Sequence, residues 1–391
     1  MRKFPAPISF KHFVILMASM AFICAACNNK SNSGKEEDRE IGITSVKLEY
    51  AKGFRIQALN GAKRITVYNP WQGATNIAYQ YFISNSKPSS SELKKEIWIK
   101  NPVHRIICLS TTQIAMIAFL DELQSIIGIS GAQYICNPDL QKRISEKKVM
   151  DVGYDLSLNY ELIYSLKPDL VLIYGVNSEA SSVYDRLNSL GIPAMFIGEY
   201  LEPEPLAKAE WVKLIACLYD KDSLAGEKYG RMATEYEALK KMTLSLGFHP
   251  VVMTGLPWKE AWNIPGGDSF TARIIADAGG KYLWAERKTR ENIPMNLEQA
   301  VNDAKNADIW INAGIARSVS DISATDERLA SLNPILTGRV FNNNKIICPR
   351  GGNAYWESGV VQPQLILQDL IMIFHPELNL NKELTYYKKL E

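Results

Sequence analysis

The chain has 391 residues, 47% hydrophobic and 22% charged, with a formal net charge of +2. This composition is globular: it excludes a disordered chain and a polybasic binder, and it predicts no nucleic-acid partner. The length favours more than one domain, and four well-separated histidines, His12, His104, His249 and His375, argue against a histidine-built metal centre or general base.

Residues 1–26 read as a signal: Arg2, Lys3, Lys11 and His12 precede the apolar run Phe13–Ala26, which is short for a membrane span. Ala25 and Ala26 stand directly before Cys27, and residues 27–44 form a polar tether. A metal or redox role for Cys24 and Cys27 would need an accessible setting beside a βαβ unit, or a second such pair, and neither follows. The pattern resembles a bacterial lipobox, with Cys24 where Leu or Val is usual; the resemblance implies that Cys27 is acylated and becomes the mature N-terminus. Cys108 and Cys348 lie in apolar β-type runs and are expected as small buried hydrophobes, Cys136 in a loop and Cys217 in a helical stretch. All four are read as structural. A disulfide is compatible with an oxidising compartment, but its pairing is not legible from spacing.

Residues 45–100 are β-like, with strands expected at Ser45–Tyr50, Phe54–Ala58, Arg64–Tyr68, Tyr79–Ile83 and Ile97–Lys100, and with Asn60-Gly61 as a hairpin turn. Within this extension, Trp71 in NPWQGA (69–74) either folds back on its own sheet or meets a ligand.

From 101 to 203 strands and helices alternate: strand 105–109, helix 111–121, strand 125–130, helix 161–166, strand 169–174, helix 182–190, strand 193–197. Residues 204–248 are strongly helical and read as a long rigid connecting helix. Alternation resumes over 249–391: strand 251–254, helices 270–278 and 297–305, strand 308–312, helix 324–332, strand 345–348 and a closing helix 362–374. The fold class is α/β: two doubly wound lobes joined by a long rigid helix, with an N-terminal β-rich extension. A weak repeat supports it. NYELIYSLKPDLVLIYG (159–175) and NLEQAVNDAKNADIWINAG (296–314) share Asn-x-Glu opening a helix, then Asp, an apolar strand and Gly. Asn159 and Asn296 suit N-caps, and two similar lobes leave a cleft at the carboxyl ends of their strands.

In order along residues 102–378, HRIICLSTTQIAMIAFLDELQSIIGIS, VGYDLSLNYELIYSLKPDLVLIYG, LGIPAMFIGE, IPGGDSFTARIIADAGGKYLW and MNLEQAVNDAKNADIWIN resemble the helical-backbone substrate-binding proteins of ABC importers for ferric siderophores, haem and cobalamin. The 45–100 extension is not part of the minimal family pattern. The resemblance implies a non-enzymatic, monomeric, lipid-anchored receptor at the periplasmic face of a bacterial membrane. It would carry no resident cofactor, bind a metal complex in a preformed cleft, and partner an ABC permease with its ATPase.

The cleft lining expected on that basis is aromatic: Tyr134, Tyr174, Trp258, Trp262, Tyr355 and Trp356, with Trp284 behind them, each open to the alternative of packing. Ser110 and Thr111 at one helix start, and Asp268 and Ser269 at another, offer backbone N–H groups to an anionic group or merely cap their helices. Arg350 is the cation placed among the aromatics, where it pairs a ligand acid or a loop carboxylate. For permease docking the resemblance implies one carboxylate per lobe, Glu298 and Glu179. Two other classes remain: a metallocluster enzyme, which needs cysteines or histidines converging on the cleft, and a surface lipoprotein binding glycans through NPWQGA.

Overall fold

The computed structural model describes residues 44–89, 96–154 and 157–391, and residues 45–391 form one compact unit. The signal, the tether and Cys27 lie outside the described residues.

The extension is a sheet in which β1 (Phe54–Leu59), β2 (Ala62–Tyr68) and β3 (Ala78–Ser84) run antiparallel and β4 (Ile97–Lys100) joins β3 in parallel. Leu59 pairs with Ala62 across Asn60-Gly61, and Gly61 takes the φ of 74° that such a turn demands. Of the strand expected at 45–50, only the start joins the sheet, where Thr44–Ser45 lies at the edge beside β1 and the Val46 N–H donates to the Ile56 carbonyl (3.0 Å); residues 49 and 50 are held differently. The N–H groups of Glu49, Tyr50 and Ala51 donate to the fully buried Glu210 carboxylate (2.9, 2.8 and 2.8 Å), and those of Lys52 and Gly53 to Glu202 Oε1 (2.9 and 2.7 Å). Five backbone donors are thereby satisfied by side chains rather than by a ladder partner. Trp71 is 7% exposed and packs on Tyr79 and Phe196. Of its two readings, packing holds, and Trp71 presents no open face on which a sugar could stack.

The first lobe is a parallel sheet in the order β9-β8-β5-β6-β7, with β5 Ile106–Cys108, β6 Ile126–Ile129, β7 Met150–Asp151, β8 Leu170–Ile173 and β9 Ala194–Phe196. Its helices are α1 (Thr111–Phe119), α2 (Pro138–Ser145), α3 (Tyr160–Ser165) and α4 (Glu179–Ser189). All residues of β5, β8 and β9 are buried, as strands covered on both faces must be.

The connecting segment is helical but not one helix. It comprises α5 (Pro205–Glu210), α6 (Val212–Cys217) and α7 (Asp222–Thr243), broken at Trp211 and again before Asp222, where Asp220 has φ 52°. Trp211 sits at the first break because its ring packs against Phe54 (4.7 Å between centroids). Tertiary packing overrides a continuous helical pattern there.

The second lobe has the order β12-β10-β14-β15-β16, with β10 Val251–Thr254, β12 Lys281–Tyr282, β14 Ile309–Ile311, β15 Val340–Asn342 and an antiparallel edge strand β16 Lys388–Lys389. An antiparallel hairpin, β11 (Ala261–Pro265) with β13 (Asn292–Asn296), projects from it. The helices are α8 (Phe270–Asp277), α9 (Leu297–Ala304), α10 (Val319–Thr325), α11 (Asn333–Leu336), α12 (Ala354–Glu357) and α13 (Pro363–Phe374). Two expectations fail here. The helix expected at 324–332 breaks at the extended Asp326, whose side chain caps the N–H of Arg328 (3.0 Å). The strand expected at 345–348 lies earlier, at β15, because Cys348 is bonded to Cys136 of the first lobe.

The repeat is structural. Asn159 Oδ1 caps α3 at Leu162 (2.9 Å) and Asn296 Oδ1 caps α9 at Glu298 (2.9 Å). The Asp that follows takes N–H donors at the entry of the lobe's first strand: Asp169 from His104 and Arg105 (2.9 Å each), Asp308 from Val251 (2.7 Å).

Candidate functional site

Large apolar side chains remain exposed just past the carboxyl ends of strands in both lobes. Tyr134 follows β6, Tyr154 follows β7 and Val176 follows β8; in the second lobe Trp258 follows β10 (70% exposed), Ile315 follows β14 (85%), and Ile346 and Ile347 follow β15. Trp356, 57% exposed at α12, joins them. In an α/β architecture strand ends are where ligands bind, and apolar side chains left exposed at those ends in both lobes make a candidate binding surface.

Local chemistry fixes this rim. The Asp151 carboxylate accepts N–H groups from Gly131 (3.2 Å), Ala132 (2.8 Å) and Gly153 (3.0 Å), tying together the loops that carry Tyr134 and Tyr154, whose rings lie 5.4 Å apart. Gly131 has φ 71°, and a Cβ there would come within 2.9 Å of both rings. Trp258 is presented by a tight turn in which its N–H bonds the Ala261 carbonyl (2.8 Å) and Lys259 takes φ 56°.

The rims meet at one side. The Cys136–Cys348 disulfide joins the loop after β6 to the loop after β15, linking residues 212 apart. Beside it the Glu357 carboxylate accepts the N–H groups of Cys136 (2.6 Å) and Asn137 (2.7 Å), and a Cβ on Gly352 would come within 2.2 Å of the Tyr134 carbonyl. Burial pushes the Glu357 carboxyl above its usual range. Cys348 is therefore no lone hydrophobe. Cys108 and Cys217 are buried singly, their thiols pushed up by burial, and among the described residues no cluster of His, Cys, Asp and Glu could hold a metal ion.

The expected site residues divide. Tyr134, Trp258 and Trp356 stand on the rim, and half-buried Tyr174 lines a cavity of about 220 Å³ with Leu109, Ser130 and Glu179. Trp262 and Tyr355 are buried in the second lobe rather than on the rim. Trp262 is fully buried between Trp284 and Trp310, its Nε1–H on the Thr254 carbonyl (3.1 Å). Tyr355 is 4% exposed, packs on Tyr386 and Tyr387, and has its hydroxyl pushed up to about 12 by burial.

Ser269 caps α8 at Ala272 (3.2 Å), while Asp268 is exposed beside it. Ser110 forms a capping box with Gln113, and the neighbouring Thr112 hydroxyl bonds buried Glu199 Oε1 (2.5 Å). The side chains of Ser110 and Thr112 are thus spent on the chain itself. Arg350 is exposed in a separate cavity of about 350 Å³ beside Gln133 and Gln141. Sequence reasoning missed Tyr154, Val176, Ile315 and the positioning Asp151; an Asp at a strand end followed by Gly is the signal that could have found the last.

Residues 106–342 match the periplasmic binding protein family. The chain belongs to that family. The lipoprotein MJ0878 of Methanocaldococcus jannaschii is 25% identical over 86% of this chain and 84% of its own length. Among solved structures, the periplasmic haem-binding protein RhuT of a Roseiflexus species superposes with a TM-score of 0.53 at 18% identity, covering 70% of this chain and 98% of that one. A protein of the Fe3+-hydroxamate transport system of Saccharomonospora viridis gives 0.53 at 16%, covering 70% and 94%. The two-lobed α/β architecture is thus that of a helical-backbone periplasmic binding protein.

Proposed function

We propose that this periplasmic binding protein is the substrate-binding lipoprotein of an ABC importer, capturing a ferric siderophore, haem or cobalamin between its lobes and delivering it to a permease and its ATPase. The observation that carries the reading is the apolar rim at the strand ends of both lobes, which suits the face of a large planar or corrin-like cargo. The disulfide tie keeps part of that rim in place before ligand arrives, so little ordering is lost on binding. The haem-binding and hydroxamate-system neighbours and the lipoprotein relative support the cargo class and an anchor at Cys27, outside the cytoplasm. Titrating the protein with haemin, a ferric hydroxamate and cyanocobalamin tests it: one is expected to bind below the micromolar range, and binding of none would refute the reading.

Docking to the permease is assigned to Glu298 and Glu179. Both are exposed in the first turn of a helix, each with its N–H on an Asn side chain two residues before (2.9 Å). The repeat adds a competitor in the first lobe, the exposed Glu161, which stands two after Asn159 as Glu298 stands two after Asn296. Glu298→Ala should abolish uptake and leave ligand affinity intact. Glu161→Ala and Glu179→Ala, compared in the same uptake assay, identify its partner. Rim charges set orientation and encounter more than affinity, so a loss of ligand binding in Glu298→Ala would contradict the assignment.

A further inference from the structure

A cavity of about 600 Å³ opens where the extension, the α5 segment and the second lobe come together. Tyr68, Asn69 and Gln72 of the extension form one wall, Phe270, Asn292 and Trp356 of the second lobe another, and Lys208 of α5 lies between them. The Lys208 ammonium sits 4.3 Å from the centroid of the Phe270 ring and makes no hydrogen bond or ion pair among the described residues. The carboxylates whose charge acts on it, Glu199 and Glu202, make no ion pair with it among the described residues, and Glu199 Oε2 is buried without a hydrogen-bond partner. Glu202 Oε1 takes the N–H groups of Lys52 and Gly53 and the Trp211 indole (3.3 Å), and Glu199 Oε1 takes the Thr112 hydroxyl. An ammonium held by a ring face alone leaves donors unspent in a desolvated place, and a charge so placed gains most from an anionic partner.

We propose that this cavity is an acid-recognition subsite of the ligand site, in which Lys208 Nζ donates to a carboxylate or phenolate on an aromatic ligand and the NPWQGA turn closes one wall. The inference rests on the metal-complex reading and deepens it: the cargo is an aromatic, acid-bearing chelate or porphyrin rather than a neutral corrin. Two further features agree. Arg290 lines the same space without a partner among the described residues, a second cation open to an anionic group. Burial lowers the Lys208 pKa to about 8, Glu199 and Glu202 opposing it.

The test titrates the full protein, as wild type, Lys208→Met and Lys208→Arg, with haemin, haemin dimethyl ester, the ferric complex of 2,3-dihydroxybenzoate and cyanocobalamin. Lys208→Met should weaken an acid-bearing probe by about tenfold or more, the worth of one charge-assisted hydrogen bond, leave the dimethyl ester unchanged, and be rescued by Lys208→Arg. Wild-type affinity for the acidic probe should also fall as pH rises through about 8, since the ammonium that holds the anion is lost. The other titratable or charged groups around the cavity are Lys52, Tyr68, Glu199, Tyr200, Glu202, Arg290 and Glu291. Ionisation of Glu199, whose carboxyl burial pushes up, would act in the same direction, so the pH effect must vanish in Lys208→Arg to belong to Lys208. Equal acidic-probe affinity in wild type and Lys208→Met, or a pH profile unchanged in Lys208→Arg, overturns the inference. Cyanocobalamin binding alone also overturns it while sparing the metal-complex reading; binding of no probe sinks both.

Discussion

Trp258 and Trp262 stand four residues apart and Tyr355 and Trp356 are neighbours, yet one of each pair is open and the other sealed. Trp258 and Trp356 are 70% and 57% exposed, whereas Trp262 and Tyr355 are buried. The open pair belongs to the rim past the strand ends, the sealed pair to the core of the second lobe directly beneath. The difference lies in hydrogen-bonding and stacking partners rather than residue type. Trp262 has the Thr254 carbonyl and two indoles to pack on, and Tyr355 has Tyr386 and Tyr387 from the C-terminal tail, which Asp369 holds through three backbone N–H groups (2.7, 2.6 and 3.1 Å). A buried aromatic core supports the aromatic rim, Trp356 standing edge-on to Tyr355 with 4.6 Å between ring centroids.

The comparison breaks most visibly in stability. Trp262→Ala should cost about 3–5 kcal/mol, and Trp258→Ala should stay within about 0.5 kcal/mol of the parent, both read by denaturant unfolding. Equal costs would mean that the two tryptophans share one environment.

Reducing the Cys136–Cys348 bond comes next. It closes a loop of 212 residues, so reduction or the paired Cys136→Ser/Cys348→Ser change should cost about 2–5 kcal/mol. Ligand affinity should drop with it as the rims loosen, and unchanged stability and affinity under reductant would remove the tie from the account.

Why the rim was partly legible and the tie was not follows from range. Strand–helix alternation, the Asn60-Gly61 hairpin and the Asn159 and Asn296 caps are written within a few residues, where period and turn chemistry act. The pairing of Cys136 with Cys348, and the grip of Glu210 on residues 49–51, join positions far apart in sequence that no local pattern announces. Aromatic clusters are visible in GLPWKEAW and NAYW, but which ring of each faces outward depends on partners from other segments. The connecting helix read as continuous for the same reason, because its break at Trp211 is made by Phe54.

A smaller effect sharpens the picture where the lobes meet. Burial is the largest influence on Glu357 and raises its carboxyl pKa, the N–H groups of Cys136 and Asn137 opposing it. The folded state therefore holds the proton more tightly than the unfolded one, so this group penalises folding at higher pH and the penalty is relieved as pH falls through the raised pKa. Relative to Glu357→Gln, the wild type should gain stability on acidification. A gain in the opposite direction would show the two hydrogen bonds outweighing burial.

The central claim is that cargo lies on the rim and not in the aromatic core. Tryptophan fluorescence during titration with the bound cargo measures this directly, in the parent and in Trp258→Phe and Trp356→Phe. The account predicts quenching in the parent that shrinks in both variants, with affinity weakened in each. Full quenching and parental affinity in both variants would place the ligand elsewhere and contradict it.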